Sequence, residues 1–262
     1  MEIVSLEPVL EPIFWEYVKQ DIPHYYFFAF DWKYNKEETR ILLALEGQRI
    51  KGMMLIYRES IVQLRGSPEA IEALLEKLDL EKVEIQALEQ HKQYILQKYE
   101  PTWSHQLILM VLHKGEERLH AKHPIVKLAT SDAEQIATIM RDADPEYWGT
   151  TTRQGILEGM NGSNWLGMKV NGELISIGST RLTEWAGLIG VVATIEVHRN
   201  KGYATSIVSE MVKQILEKQS IALIYVLSDN PPAIRVYRRV GFKPHRTYFF
   251  LRGERLTREK TV

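Results

Sequence analysis

The chain has 262 residues, of which 45% are hydrophobic and 26% are charged, and its formal net charge at pH 7 is -1. This is ordinary globular usage, and the length exceeds the usual size of one domain, so we expect two hydrophobic cores. A nearly neutral chain gives no broad electrostatic reason to bind nucleic acid or an anionic membrane. The sequence contains no cysteine, which excludes disulfides, thiolate metal sites and a cysteine acyl-enzyme.

Two further patterns bear on where the protein works. No apolar stretch approaches the roughly 20 residues that a membrane-spanning helix needs. The N-terminus is acidic and lacks the charged-then-apolar pattern of a secretory signal. We therefore expect a cytoplasmic protein with no membrane partner and no nucleic-acid partner. The C-terminal end is locally basic and is expected to be a solvated tail; its cationic residues are Arg246, Arg252, Arg255, Arg258 and Lys260.

The first part of the chain has the pattern of an α/β domain. A helix is predicted over 9–20, followed by an aromatic run at 24–32 that is too crowded for one amphipathic face. We interpret this run as a core strand with some side chains at a cleft or an interface. Apolar periodicity then predicts three strands, a helix, a strand, a helix and a strand, over 41–46, 50–57, 61–65, 68–78, 82–86, 90–99 and 106–112.

A charged stretch over 113–124 predicts a domain boundary. We divide the chain into an N-terminal α/β domain, residues 1–118, and a second domain, residues 119–262. The second domain should begin with a strand, two helices and a β-hairpin, whose Asn171-Gly172 turn readily adopts two positive φ angles. The predicted strand covers 125–128, the helices begin near 131 and cover 152–160, and the hairpin strands cover 164–170 and 173–183.

Residues 199–204 lie between a β-branched strand pattern and an amphipathic helical pattern. The first turn of a helix presents unpaired backbone N–H groups and about half a positive charge, so an anion binds there readily. Gly202 lacks a Cβ and permits close approach, while Arg199 and Lys201 add positive charge and Thr205 adds a hydroxyl. These features suit a phosphate-binding loop, but taken alone they are equally compatible with an ordinary strand-to-helix turn in which Gly202 only relieves strain; a second motif decides between the two.

A second motif follows the apolar strand pattern at 221–227. Asn230 is placed as the N-cap of the next helix and Pro231 as its first residue, so a side-chain oxygen is available to the helix amides or to a ligand. Helical spacing places Ala233 and Tyr237 on one apolar stripe, which predicts that Tyr237 points inward.

Together, the segments 192–205 and 230–242 resemble the GNAT acyl-CoA N-acyltransferases. The resemblance covers roughly residues 124–250 and is strongest in the second half of that span. It implies an α/β (α+β) fold with a GNAT-like mixed sheet, splayed central strands and flanking helices, in which pantetheine inserts beside exposed strand backbone. The predicted element order of the N-terminal domain mimics this fold, so that domain is expected to be a degenerate copy or, alternatively, an unrelated α/β module.

The resemblance also implies acetyl-CoA or coenzyme A as cosubstrate, with no metal. The family's pyrophosphate loop, Arg-x-x-Gly-x-Gly/Ala, corresponds to 199–204, and its pantetheine-binding asparagine corresponds to Asn230. The expected cofactor-binding residues are Val192, Thr194, Arg199, Asn200, Lys201, Gly202, Tyr203, Ala204, Thr205, Asn230 and Ala233. Two positions depart from the family pattern without blocking a phosphate, since Glu196 stands where proline is common and Ala204 replaces the second glycine.

The tyrosine that protonates the departing thiolate in this family corresponds to Tyr237, which is the predicted catalytic acid; the alternative is a core tyrosine. Because no cysteine is present, direct attack of an amine on the bound thioester is favoured. The residue that deprotonates the amine stays open among Glu184, Glu196, His198 and a water chain.

The sequence therefore predicts an N-acetyltransferase that transfers an acetyl (acyl) group from acetyl-CoA to a primary amine in a ternary complex. The alternative is a non-catalytic acyl-CoA-binding or sensing protein. The acceptor is expected to be a small-molecule or peptide amine near Tyr147 and Trp148, and the sequence gives no oligomeric state. A dinucleotide-binding oxidoreductase is disfavoured because no Gly-x-Gly-x-x-Gly follows a predicted strand.

Overall fold

The computed structural model describes residues 1–256. The chain divides into two compact units. Among the described residues, the first unit comprises Met1–Leu109, Leu227–Asp229 and 246–256, and the second comprises Met110–Val226 and Asn230–His245.

From residue 39 onward, the first unit follows the predicted order of three strands, a helix, a strand, a helix and a strand, whereas a short first strand and a second helix before them were not predicted. In chain order its elements are β1 (Glu2–Ser5), α1 (Glu11–Val18), α2 (Ile22–Tyr34), β2 (Thr39–Glu46), β3 (Arg49–Tyr57), β4 (Ile61–Gly66), α3 (Pro68–Leu75), β5 (Lys82–Leu88), α4 (Lys92–Leu96) and most of β6 (Tyr99–His113).

The second unit contains the remaining elements. They are β7 (Val126–Lys127), α5 (Ala133–Ala143), α6 (Pro145–Trp148), α7 (Arg153–Met160), β8 (Asn164–Val170), β9 (Glu173–Leu182), β10 (Gly187–Thr194), α8 (Tyr203–Leu216), most of β11 (Ile221–Leu227), α9 (Pro231–Val240) and the first residues of β12 (Lys243–Arg255).

Each unit has the same order of elements. In the first, β1 to β4 form antiparallel pairs and β4 pairs with β5 in parallel across helix α3. In the second, β7 to β10 form antiparallel pairs and β10 pairs with β11 in parallel across helix α8. A further helix and strand complete each series. The mixed α/β class and the repeated order in the N-terminal part are thereby confirmed.

The unit boundary differs from the predicted division after Arg118. Strand β6 runs through it, since Leu109 belongs to the first unit and Met110 to the second, and β12 is divided in the same way at His245. A hydrophilic stretch marks a change of composition, but it does not show that a strand begins in one unit and ends in the other.

The predicted solvated tail is wrong for the part that the structure describes. Strand β12 pairs with β5 through Glu254. Within this strand, Arg252 Nε donates to Glu84 Oε1 at 2.8 Å, and Arg246 Nη2 donates to Asp21 Oδ2 at 2.8 Å. The predictions for Arg258 and Lys260 lie outside the described residues.

The aromatic run at 24–32 is helical, not the core strand expected from the sequence. It forms most of α2, whose first turn is capped by the Asp21 carboxylate and which is kinked at Tyr25, where φ is -103° and ψ is 15°. Both Tyr26 and Phe28 are 0% exposed. Because apolar residues surround this helix on most sides, its sequence lacks the 3.6-residue periodicity that identifies a helix with one exposed face.

Arg65 is the most unusual buried residue of the first unit, with 1% of its surface exposed. Its guanidinium lies over the ring of Tyr248, 4.3 Å from the ring centroid. It donates hydrogen bonds to the carbonyl oxygens of His24, Leu64 and Gln86 and to the side-chain oxygens of Gln63 and Gln86. Since the parallel pairing of β4 with β5 ends at Leu64, Arg65 bridges the two strands where their own pairing stops.

We expect Arg65→Met to lower the free energy of unfolding by about 3 kcal/mol, because it leaves several buried carbonyl groups without donors. Arg40→Gln is the control, since Arg40 forms an exposed ion pair with Glu59 (side chains 53% and 62% exposed), and its loss should cost less than about 1 kcal/mol. Urea denaturation measures both. Equal midpoints for the two variants would contradict the structural role of Arg65.

Among residues 1–256, none of the helices combines the length and the apolar character needed to cross a membrane.

Candidate functional site

The site is built around an early end to the pairing of β10 with β11. The parallel register covers Gly187 to Ile189 on β10 and Ala222 to Ile224 on β11, whereas β10 continues to Thr194. In β10, the pairing with β9 also shifts between Ile189 and Val192, as at a β-bulge. The last residues of β10 thus remain bound to β9 while they leave β11, which is the splayed arrangement that the resemblance implies.

Two buried serines of β9 hold this part of β10. The Val191 amide donates to Ser179 Oγ at 3.0 Å, where the regular ladder is interrupted. Ser176 Oγ donates to the Ala193 carbonyl at 3.0 Å and lies 2.7 Å from Thr194 Oγ1. The sequence analysis did not single out Ser176 or Ser179, because their roles depend on the cross-strand register.

Backbone direction then follows from alternation along the strand. Val191 and Ala193 direct backbone groups toward β9, as does Ile195, whose amide donates to Ile175 O at 3.0 Å. Since successive residues of a strand alternate in the direction of their backbone groups, Val192 and Thr194 direct theirs away from β9. These are the two strand residues expected to contact pantetheine.

The loop after β10 is held in an unusual backbone conformation. Asn200 and Gly202 have positive φ angles of 63° and 85°, which glycine adopts freely and asparagine tolerates better than most residues. Arg199 Nε donates to the Thr194 carbonyl at 3.2 Å, and Lys201 Nζ donates to the Val197 carbonyl at 3.2 Å. The two cationic side chains therefore brace the loop as well as giving it positive charge.

Helix α8 begins directly after this loop. Its N-cap is Gly202, which has no side chain that could cap the helix. Tyr203 and Ala204 are half-buried in the first turn, and Thr205 is 8% exposed. A helix start without a side-chain cap presents backbone donors that suit an anion.

The second motif lies at the same edge of the sheet, because β10 and β11 are parallel and their carboxyl ends lead into α8 and α9. Asn230 Oδ1 accepts from the Ala233 amide at 3.1 Å, and Pro231 is the first residue of α9, as the sequence predicts. The Asn230 side-chain oxygen thus caps its own helix.

Tyr237 lies on the buried face of α9 with 5% of its surface exposed. Its ring meets Phe242 edge to face at a centroid distance of 6.1 Å. Burial raises the pKa of the Tyr237 phenol well above its ordinary value, since a phenolate would lose its hydration there. The hydroxyl is therefore protonated at neutral pH. The inward orientation predicted from helical spacing is observed.

The three side chains considered for amine deprotonation lie in different settings. Glu196 and Glu184 are exposed, the first in a short 3-10 turn after β10 and the second in the loop between β9 and β10. His198 is half-buried, and its Nδ1 is shielded from solvent without a hydrogen-bond partner among residues 1–256. Its ring lies 6.3 Å from that of Tyr203.

The predicted acceptor side carries two half-buried aromatic residues. Tyr147 and Trp148 meet edge to face at 4.5 Å on α6, whose N-cap is the Asp144 side chain. Trp148 packs on a core cluster that also contacts Val191 of β10. This places part of α6 in one apolar layer with the splayed strand.

Comparisons with known proteins give a family-model match and similar folds. Residues 166–251 match the model of a protein family described as FR47-like protein. A search of curated proteins finds no significant match. Three solved structures illustrate the similarity in fold.

The first is a Drosophila protein, with 11% identity, a TM-score of 0.72 and coverage of 96% of this chain and 98% of that chain. An acetyltransferase of the GNAT family from Colwellia psychrerythraea has 13% identity, a TM-score of 0.61 and coverage of 97% and 100%. A tandem GNAT protein from the clavulanic acid biosynthesis pathway has 13% identity, a TM-score of 0.52 and coverage of 84% of each chain.

The chain has the GNAT fold, which confirms the resemblance drawn from the two motifs. The FR47-like match falls on its C-terminal part and includes the loop 199–204, Asn230 and Tyr237.

We expect Ser179→Ala to lower the free energy of unfolding by about 1–2 kcal/mol, because the Val191 amide then lacks its hydrogen-bond acceptor. The exposed Ser131 provides a control, and Ser131→Ala should stay within about 0.5 kcal/mol of wild type. Chemical denaturation of both variants measures the difference. A Ser179→Ala variant as stable as the control would show that the serine does not hold the bulge.

Proposed function

We propose that the second unit is an acetyl-CoA-dependent N-acyltransferase that transfers an acyl group directly to a primary amine. The observation that carries this proposal is the splay of β10 from β11, followed at once by a loop with left-handed Gly202 at the uncapped start of α8. A strand that turns backbone groups away from β9 and an adjoining anion site suit the two ends of coenzyme A, which are a peptide-like pantetheine arm and a pyrophosphate.

The loop residues fit the pyrophosphate. A Cβ at Gly202 would lie 3.7 Å from its nearest neighbour, the Nε2 atom of His123, and its absence leaves the backbone open to a close ligand. Amides of Asn200 to Ala204 would donate to phosphate oxygens. Arg199 and Lys201 are exposed and supply positive charge at the same place.

The strand residues fit the pantetheine arm. Val192 and Thr194 turn backbone groups away from β9, and Asn230 lies at the same edge of the sheet at the end of β11. In this proposal the side-chain amide of Asn230 binds the arm while its oxygen continues to cap α9. Ala233, in the first turn of that helix, presents a small side chain beside the arm.

In the proposed reaction, the amine nitrogen forms a bond to the thioester carbon and the carbon–sulfur bond breaks. Tyr237 donates its phenolic proton to the departing thiolate. The phenol of Tyr237 is protonated at neutral pH, so its proton is available when negative charge develops beside it. The amine loses a proton to His198, Glu196, Glu184 or water, and backbone amides of β10 stabilise the carbonyl oxygen as charge develops.

The acceptor in this proposal is a small-molecule or peptide amine that approaches along the aromatic side chains of α6, Tyr147 and Trp148. The rival proposal is a non-catalytic acyl-CoA-binding or sensing protein, which would share the loop and Asn230. A screen of purified protein with acetyl-CoA and a panel of amines, with free thiol as readout, separates the two. Binding of acetyl-CoA with no turnover on any amine would favour the sensor.

Coenzyme A should bind the wild-type protein and raise its melting temperature, because a ligand selective for the folded state stabilises that state. Gly202→Asp should weaken binding at least about tenfold, since it adds bulk and negative charge beside the phosphates. Gly162→Asp is a matched control, because Gly162 also has a positive φ, of 75°, and open space around it.

Isothermal titration of the three proteins tests the cofactor assignment. No heat and no thermal shift for wild type at millimolar coenzyme A would overturn it. Equal affinities for the two aspartate variants would instead remove Gly202 from the binding site.

Tyr237→Phe should lower kcat at least about tenfold while the affinity for coenzyme A stays near that of wild type, because the phenolic proton matters only as the thiolate forms. The substitution barely changes volume, so the melting temperature should also stay near wild type. A stable variant with full activity would exclude Tyr237 as the acid, and a variant that unfolds easily would identify the hydroxyl as a structural group.

A further inference from the structure

The segment that follows β6 is bound closely to the second unit although it has almost no regular secondary structure. We call residues 116–124 the strap. Its first half contacts the end of α9 and the start of β12. The Arg118 amide donates to the Val240 carbonyl at 2.8 Å, Arg118 Nη2 donates to the Arg238 carbonyl at 2.5 Å, and Glu116 pairs with Lys243 at 2.5 Å.

The second half of the strap lies along α8 toward its first turn. The His120 amide donates to Ser209 Oγ at 2.9 Å, and Ser206 Oγ donates to the His120 carbonyl at 3.3 Å. The Lys122 amide donates to Ser206 Oγ at 3.3 Å. Ser206 and Ser209 are each 1% exposed, so the strap satisfies buried hydroxyls of α8 and is fixed in position by them.

This anchorage brings His123 onto the loop 199–204. His123 Nε2 lies 3.1 Å from the Lys201 carbonyl oxygen. A carbonyl only accepts, so Nε2 carries the hydrogen in this contact. The imidazole also meets the Tyr203 ring edge to face, at a centroid distance of 4.7 Å.

The contact fixes the direction of one peptide group in the loop. The Lys201–Gly202 peptide is trans, like every peptide bond among residues 1–256, and in a trans peptide the C=O and the following N–H point in opposite directions. With the Lys201 carbonyl held by His123, the Gly202 N–H points away from the imidazole. If this peptide were reversed, a carbonyl oxygen would take the place of a donor and repel an anion.

We propose that His123 is a positioning residue of the phosphate loop, which holds the Lys201–Gly202 peptide so that the loop presents an amide to the pyrophosphate. This inference rests on the proposed function, and it adds a residue that lies outside the loop motif and well before it in the sequence. His123 acts through the loop backbone, so its substitution should change the affinity for coenzyme A while it leaves the fold intact.

Three variants separate the hydrogen bond from the ring contact and from the strap itself. His123→Phe retains a ring against Tyr203 but has no donor for the Lys201 carbonyl. His123→Gln retains an N–H donor near the position of Nε2. His120→Gln is the matched control, because the backbone of His120, and not its side chain, makes the hydrogen bonds to Ser206 and Ser209.

Calorimetric titration with coenzyme A and thermal melts without ligand, on the full chain, test the proposal. We expect His123→Phe to raise Kd about five- to tenfold, the loss of one hydrogen bond. His123→Gln should stay within about threefold and His120→Gln at wild type, with unliganded melting temperatures alike in all four proteins.

Coenzyme A binding by His123→Phe with the affinity of wild type would overturn the proposal. Tighter binding would also overturn it, because it would show that the imidazole obstructs the loop. A lowered melting temperature in His123→Phe that glutamine does not restore would identify a packing role and also overturn it. Failure of wild type to bind coenzyme A would overturn the proposed function together with this inference, whereas wild-type binding with unchanged variants would overturn this inference alone.

Discussion

The arrangement of the second unit depends on the point at which β10 stops pairing with β11. A parallel pair that continued to the end of β10 would occupy the backbone groups of Val192 and Thr194. Instead the strand keeps its hydrogen bonds to β9, with Ser179 and Ser176 completing them where the register shifts. The separation therefore leaves one edge of the strand hydrogen-bonded to β9 and the other edge unpaired with β11. A strand edge of this kind can bind a peptide-like ligand through its backbone.

The loop that follows illustrates how local strain is supported by surrounding contacts. Positive φ angles at Asn200 and Gly202 orient the peptide groups before α8 begins. The side chains of Arg199 and Lys201 donate hydrogen bonds to the carbonyl groups of Thr194 and Val197, which precede the loop. His123 donates one to the Lys201 carbonyl, within the loop itself. Strained backbone persists when its surroundings determine it in this way, and a preorganised loop spends less free energy on ordering when a ligand binds.

The sequence predicted those features that depend on neighbours along the chain. Asn230 as N-cap, Pro231 in the first turn and the Asn171-Gly172 hairpin, with φ angles of 52° and 84°, follow from local backbone chemistry and are observed. Features set by distant contacts were not predicted. The aromatic run gives no periodicity because α2 is buried on most sides, and His123 acquires its contact only when the strap lies along α8.

The two units differ in what lies beyond the parallel strand pair. In the first unit, Arg65 donates hydrogen bonds to the carbonyl groups of Leu64 and Gln86, on β4 and β5, where that pairing ends. In the second unit the strands separate, and β10 leads into a loop with left-handed Gly202. Substitution is thus limited at Arg65 by buried hydrogen bonds and at Gly202 by backbone conformation, so one order of elements, present twice in a chain, places different constraints on the residues that follow the same strand pair.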